Sequence, residues 1–371
     1  MAETLGCLTL QQILMYLVGI GLIVLAIKKQ YEPALLLPMG FGAILVNLPA
    51  SGALNQTIEG IGEVQGIIEW LYRLGIEASE ALPILLFIGI GAMTSFEPLL
   101  KRPVLFLFGL AAQTGIFVAM GLALLFGFDV KDAVSVGMIG AADGPTSILV
   151  SQILNSNYVG AIAVAAYSYM ALVPLIQPVT IKAITSKEER KINMQTAEKS
   201  LPKGIRIAFP IAVTIIAGFF APMSVPIVGF LMFGNLIKEC GVLDSLTKTA
   251  QNELTNLVTI LLGITISFSM RAEVFVVKET LFIMVIGLLA FVFDTVGGVL
   301  FAKFLNLFLK EKINPMVGAA GISAFPMASR VVQKLATEEE KGNIILMHAV
   351  GANVAGQLAS AIIGGVILSF F

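Results

Sequence analysis

Long apolar runs separated by short polar breaks make up almost the whole chain. Runs near the roughly 20 residues that cross a bilayer fall at 8–27, 33–48, 82–97, 103–126, 159–181, 205–221, 226–240, 257–270, 279–302 and 343–369, of which 33–48, 82–97 and 257–270 are short. Two further segments, 133–154 and 313–334, are apolar but interrupted by Gly, Pro and polar residues, and each is predicted to be a discontinuous, re-entrant segment. Between the second and third runs, Ile61, Val64, Ile67, Ile68 and Leu71 recur at helical spacing. They predict an amphipathic helix within 55–80, lying on the membrane interface and anchored by Trp70.

Charge orients this pattern. Ten crossings, with both broken segments returning to their side of origin, place 19 of the 23 Lys and Arg residues on one side; only Arg73, Lys131, Arg271 and Lys278 fall on the other. The positive-inside rule makes the rich side cytoplasmic. A full crossing by 133–154 would put the charged 187–204 linker on the wrong side. Five crossings per half is an odd number, so two related halves would be inverted. Three pairs of strings, in the same order, predict such halves over 1–186 and 205–371: "PMGFGAILVN" with "PIVGFLMFGN", "ILLFIGIGAM" with "ILLGITISFS", and "GAADGPTSI" with "GAAGISAFP". The fold class expected is an all-α polytopic membrane protein of two inverted-topology repeats, each with about five spans and one broken segment, and a site at the midplane. The linker reads as a solvated connector, with a docking surface as the alternative.

Composition narrows the function. Of 371 residues 57% are hydrophobic and 13% charged, half the charged share of a soluble domain. A net charge of −1 gives no basic field to attract nucleic acid. Cys7 and Cys240 stand far apart with no metal-binding or redox spacing and read as buried free thiols.

The broken segments carry the polar chemistry. Unpaired backbone in lipid is expensive, so an unwound segment persists only against protein or a polar cavity. In "GAADGPTSI", Gly140 and Gly144 are expected to let the chain leave helical geometry, and Pro145 to restart a helix. Asp143 then sits near the positive end of that helix, with Thr146 and Ser147 one turn inside. The second segment offers Asn314, Gly318, Gly321, Ser323 and Pro326. These are hard oxygen donors with a single carboxylate, a set suited to a monovalent cation, Na+ above all. Asp143 in a membrane segment is a functional candidate, and a buried helix cap is its structural alternative. Ser323 and Asn353 are ligand candidates or helix-packing residues. Arg330 is an anion ligand or a snorkelling side chain. Tyr169 is a mid-span hydroxyl or a satisfied core tyrosine. Asp294 is a second mid-span acid, a candidate for coupling or for pairing with a buried base, and Glu97 is interfacial.

"GAADGPTSI", "NPMVGAAGISAFPMASRV" and "MHAVGANVAGQLASA", together with "FIGIGAMTSFEPLL" and "FDTVGGVLFAK", resemble the membrane β subunit of the sodium-pumping, biotin-dependent decarboxylases over most of the chain. The resemblance implies decarboxylation of carboxybiotin coupled to Na+ export across the bacterial inner membrane. It implies a carboxyltransferase, a biotin carrier and a small membrane subunit as partners, and several β copies. It places Asp143, Asn314, Gly318, Ser323 and Asn353 at sodium sites, and Asp143, Tyr169, Ser323 and Arg330 in carboxybiotin handling or proton supply. Ser95 stands where the family pattern has an aspartate. The short chain leans towards the glutaconyl-CoA or methylmalonyl-CoA complexes. A stand-alone Na+-coupled carboxylate transporter and a passive membrane scaffold are the competing readings.

Overall fold

The computed structural model describes residues 8–30, 33–49, 51–58, 62–78, 80–194, 201–324 and 327–371. The regular elements among the described residues are helices apart from one antiparallel hairpin, β1 (Asn55–Ile58) with β2 (Gly62–Gln65). The principal helices are α1 (Leu10–Lys29), α2 (Pro33–Asn47), α3 (Ala81–Met93), α4 (Leu105–Ala111), α5 (Thr114–Leu125), α6 (Val130–Gly137), α7 (Gly144–Ile153) and α8 (Val159–Ile184). They continue with α9 (Lys203–Phe220), α10 (Val225–Cys240), α11 (Thr255–Ile266), α12 (Lys278–Phe308), α13 (Met316–Ala319), α14 (Met327–Glu339) and α15 (Leu346–Leu368).

Among the described residues, seven helical stretches are long and apolar enough to cross a membrane; two bent pairs and the shorter α2 fall where the remaining runs are predicted. Large side chains on the outside, among them Phe219 (82% exposed), Phe220 (83%) and Leu307 (76%), would be costly in water and are solvated by acyl chains in a bilayer. The chain is a multi-pass membrane protein.

Local sequence explains the helix ends. Thr9 and Gln12 form a capping box at the start of α1, and Lys28 and Lys29 complement the partial negative charge at its end. Within α8, Val159–Met170 and Leu172–Ile184 are inclined by 64°. Pro174 has no N–H to give the Met170 carbonyl one turn back, so the hydrogen-bond ladder opens there.

Three elements depart from the sequence expectation. The 55–80 stretch is not one helix: Val64 lies on β2, only Ile67–Tyr72 is α-helical before a π-turn at Arg73–Glu77, and Ile61 lies outside the described residues. Gly62 adopts φ +94°, a left-handed conformation that favours reversal over helix continuation. Run 257–270 is the second part of a longer helical stretch, Asp244–Met270. Run 103–126 is interrupted between α4 and α5, where side chains take over from the backbone. Gln113 donates to the Gly109 carbonyl (3.1 Å), Thr114 to Ala111 (2.6 Å), and the Asp294 carboxylate accepts the Gly115 N–H (2.5 Å).

The linker is only partly a connector. Residues 187–190 form a short helix, and Arg190 is buried, with Nε donating to Glu339 Oε1 at 2.7 Å and Nη1 to the Thr185 carbonyl at 2.6 Å. Glu189 pairs with Lys303 at 3.0 Å. Cys240 is half-buried rather than buried, its thiol donating to the Ile237 carbonyl at 2.9 Å, and Cys7 lies outside the described residues.

Packing pairs recur between the halves. Helix α2 packs on α11 and α10 on α3; α4 packs on α15 and α8 on α12; α6 packs on α5 and α13 on α12; α7 packs on α8 and α14 on α15. The two broken segments are seated alike, through glycine crossings without room for a side chain. A Cβ on Gly140 would lie 2.5 Å from the Gly115 carbonyl carbon, and one on Gly318 would meet the Gly298 backbone.

Candidate functional site

The first break is built in three steps. Helix α6 tightens into a 3-10 turn at Met138–Ala141, Ala142 turns left-handed (φ +55°), and Asp143 runs extended before Gly144 and Pro145 open α7. Sequence reasoning placed the reversal at the glycines; the structure places it at Ala142. The glycines serve close contact instead, Gly140 against Gly115 and Gly144 against the Tyr167 ring. Asp143 is buried. Its Oδ2 accepts the Thr146 hydroxyl and, at 3.5 Å, that of Ser360 on α15. Ser147 donates to the carbonyls of Met138 and Asp143, each at 2.8 Å. Thr146 and Ser147 thus close the turn and hold the acid.

At the second break, α13 ends at Ala319 and the chain turns through 320–324 before α14; Pro326 lies outside the described residues. Three side chains of α15 stand at its side, Asn353, Gln357 and Ser360, spaced by four and three so that they share one helix face. Asn353 Nδ2 donates to the Ala320 (3.2 Å) and Ile322 (2.6 Å) carbonyls. Gln357 Nε2 donates to Ser323 O at 3.3 Å, and Ser323 Oγ to the Gly356 carbonyl at 2.9 Å. Asn353 Oδ1 and Gln357 Oε1 are buried and accept no hydrogen bond. This face runs from the second break to Asp143 at the first.

A cavity of about 320 Å³ lies between the two breaks. Asp143 and Pro145 line it from the first, Ser323 and Arg330 from the second, Gln357 from α15 and Tyr167 from α8, with Leu35, Leu86 and Ile90 as apolar wall. Arg330 is exposed at its rim. Of the residues anticipated from sequence, Asp143, Ser323 and Arg330 meet here. Tyr169 does not: its hydroxyl donates to the Met284 carbonyl and its ring packs on Phe291, while Tyr167, two positions earlier, faces the cavity. Asn314 is also elsewhere, with Nδ2 donating to the carbonyls of Arg190 and Ile192 (both 2.8 Å) and Oδ1 accepting Met316 N–H (3.1 Å). The Gly318 carbonyl accepts Gly321 N–H (3.0 Å) and rests on Gly298. Ser95 is half-buried and does not line the cavity. Gln357, Ser360 and Tyr167 were missed. The four-and-three spacing of Asn353, Gln357 and Ser360 was a readable signal; the rotation that selects Tyr167 over Tyr169 was not.

A many-helix membrane protein with two chain breaks closing on one buried acid defines an ion-transport class of architecture. The sequence model described as Na+-transporting oxaloacetate decarboxylase beta subunit matches residues 11–371, and the chain belongs to that family. It is 44% identical to the methylmalonyl-CoA decarboxylase subunit beta of Propionigenium modestum, over 98% of this chain and 96% of that one. It is 46% identical to the glutaconyl-CoA decarboxylase subunit beta of Acidaminococcus fermentans (96% and 92%), and 41% to the probable oxaloacetate decarboxylase beta chain of Vibrio cholerae (100% and 98%).

Proposed function

We propose that this chain is the membrane subunit of a decarboxylase complex of the bacterial cytoplasmic membrane, decarboxylating carboxybiotin and coupling that step to Na+ export. The observation that carries the reading is the cavity joining Asp143 of one break to Ser323 and Arg330 of the other. Its volume is in the range of small-molecule pockets. Arg330, at the rim, offers a planar array of donors to the carboxylate of carboxybiotin brought by a soluble carrier. Loss of CO2 from the biotin nitrogen leaves that nitrogen to take up one proton. Asp143 supplies the single full negative charge of the cation site, and Na+ and H+ compete for it. The acceptors without hydrogen bonds, Asn353 Oδ1 and Gln357 Oε1, supply neutral oxygens of the hardness Na+ prefers. Tyr167, rather than Tyr169, stands where a phenol could serve the chemistry directly. Asn314 and Gly318 act at one remove, by fixing the start of the second broken segment.

The paired packing of α2 on α11 with α10 on α3, and the matched crossings at Gly140 and Gly318, support two repeats related by a twofold axis, inverted by their odd number of spans. Partners in this reading are the carboxyltransferase, biotin carrier and small membrane subunits, with further β copies. The higher identity to the two acyl-CoA-type relatives, 44% and 46%, supports an acyl-CoA rather than oxaloacetate complex.

In the assembled, reconstituted complex, Asp143→Asn should lower both carboxybiotin decarboxylation and Na+ flux by more than a hundredfold, a loss of about 3 kcal/mol or more in barrier terms. Wild-type-like turnover in that variant would remove Asp143 from the mechanism. Flux driven by a small solute without carboxybiotin would instead support a stand-alone transporter.

A further inference from the structure

A second acid lies in the helical core, outside the cavity. Asp294 of α12 is 0% exposed. One carboxylate oxygen accepts the Gly115 N–H at 2.5 Å; the other, Oδ2, is buried and makes no hydrogen bond. Among the described residues no Lys, Arg or His forms an ion pair with it. The contact with Gly115 is direct, since a Cβ there would lie 2.5 Å from the Asp294 Cγ.

Among the described residues the surroundings hold no compensating charge. Helices α4, α5, α13 and the Met138–Ala141 turn, all packed on α12, contain no titratable side chain. On α6, Lys131 is exposed and Asp132 is bound by Ser156 (2.7 Å) and Asn157 (3.0 Å). On α8, Tyr167 contacts Gly144, Lys182 lies beside Glu338, and Tyr169 packs on Phe291 one turn from Asp294 with its hydroxyl given to Met284. An ionised carboxylate with no partner is strongly disfavoured in such a place. Of the two forms, the neutral acid, COOH, costs less in this crossing.

The position links this acid to the first break. Gly115, whose amide Asp294 holds, is the residue on which Gly140 rests, two residues before the left-handed turn at Ala142. A movement that parted α5 from α12 would break the Gly115–Asp294 bond and loosen the seat of the first break together.

We propose that Asp294 is a proton-binding site of the transport cycle: it holds COOH while α5 and α12 are crossed as here, and gives its proton to water, leaving COO−, when the crossing parts. The proton returns as the crossing closes. The sign follows: low pH favours the closed crossing, and raising the pH favours the open one. A permanently structural acid would need no such exchange. The proposal does not depend on the role assigned to Asp143.

The test uses the assembled complex in proteoliposomes. Asp294→Asn retains the shape and the acceptor for Gly115 N–H but cannot exchange a proton. The expected result is an intact complex whose Na+ transport falls at least tenfold, with Asp294→Glu keeping a measurable fraction. Asn-variant transport at the wild-type rate across the pH range would overturn the proposal and leave Asp294 as a cap for α5. Should the variant not assemble, dicyclohexylcarbodiimide, which modifies protonated carboxyls in apolar surroundings, reads the wild type directly. Labelling of the resting complex at Asp294 that declines as pH rises supports the site, and no labelling at any pH overturns it. Asp143→Asn should leave that labelling in place, so the two readings fail separately.

Discussion

At the first break most of the work is done within one stretch of sequence: Thr146 holds the Asp143 carboxylate, which Ser360 of α15 also reaches at 3.5 Å, and Ser147 closes the turn onto Met138 and Asp143. At the second break the work is done from outside. Asn353 and Gln357, on the last helix, donate to the carbonyls of Ala320, Ile322 and Ser323. The first break is a self-supporting turn that presents a charge. The second is a length of open backbone held up by α15, whose amide oxygens, Asn353 Oδ1 and Gln357 Oε1, accept no hydrogen bond. On the proposed reading as a sodium site, this division would let a shift of α15 move the neutral oxygens while Thr146 keeps hold of the acid.

Substitution at the glycine crossings should have the largest effect and should be alike in both halves. Gly140→Ala and Gly318→Ala each drive a methyl group into backbone atoms that have no rotamer to escape to. Each should destabilise by about 3 kcal/mol, read as a lowered melting temperature of the solubilised subunit. A large loss at one position and none at the other would break the equivalence of the two seats.

The two breaks should then separate. Asn353→Ala leaves two buried carbonyls without their donor and should be destabilising by about 2 kcal/mol, whereas Ser147→Ala should cost about 1 kcal/mol, since backbone bonds still frame the first turn. Equal losses would mean that the second break does not lean on α15.

Arg190→Gln probes the outer support of the second break. It removes the ion pair to Glu339 but keeps the Arg190 carbonyl that Asn314 and, at 3.4 Å, Asn343 both reach. The expected loss is about 2 kcal/mol, because a buried guanidinium's charge-assisted bonds are lost, seen as easier proteolysis of the linker. A wild-type proteolysis rate would show that the linker is held by its backbone contacts alone.

How much of this was legible in sequence depends on what each residue's role required. Asp143, Ser323 and Arg330 announced themselves as polar residues in segments otherwise fit for lipid, and two Gly- and Pro-rich interruptions marked where helices stop. Gln357 and Ser360 shared a helix face with Asn353 that the spacing encodes. Other features depended on partners distant in sequence. Gly140 and Gly144 looked like hinges, yet they are small because Gly115 and Tyr167 press against them. Tyr167 and Tyr169 are two residues apart on one helix, about 200° in rotation, and only the packing of α8 against α12 shows which faces the cavity. The contacts of Asn314, the carbonyls of Arg190 and Ile192, were not legible because they lie in a linker whose charge pattern resembled a free connector. At 55–65, helical spacing competed with turn chemistry, and the glycine at position 62 decided for a hairpin.

The central claim is that one alkali cation is held between the two breaks against the Asp143 carboxylate. Equilibrium binding of radioactive sodium to the purified subunit, wild type beside Asp143→Asn, tests it most directly. The account predicts saturable binding that falls as pH is lowered in the wild type and is absent in the variant; sodium binding of equal affinity in both would contradict it.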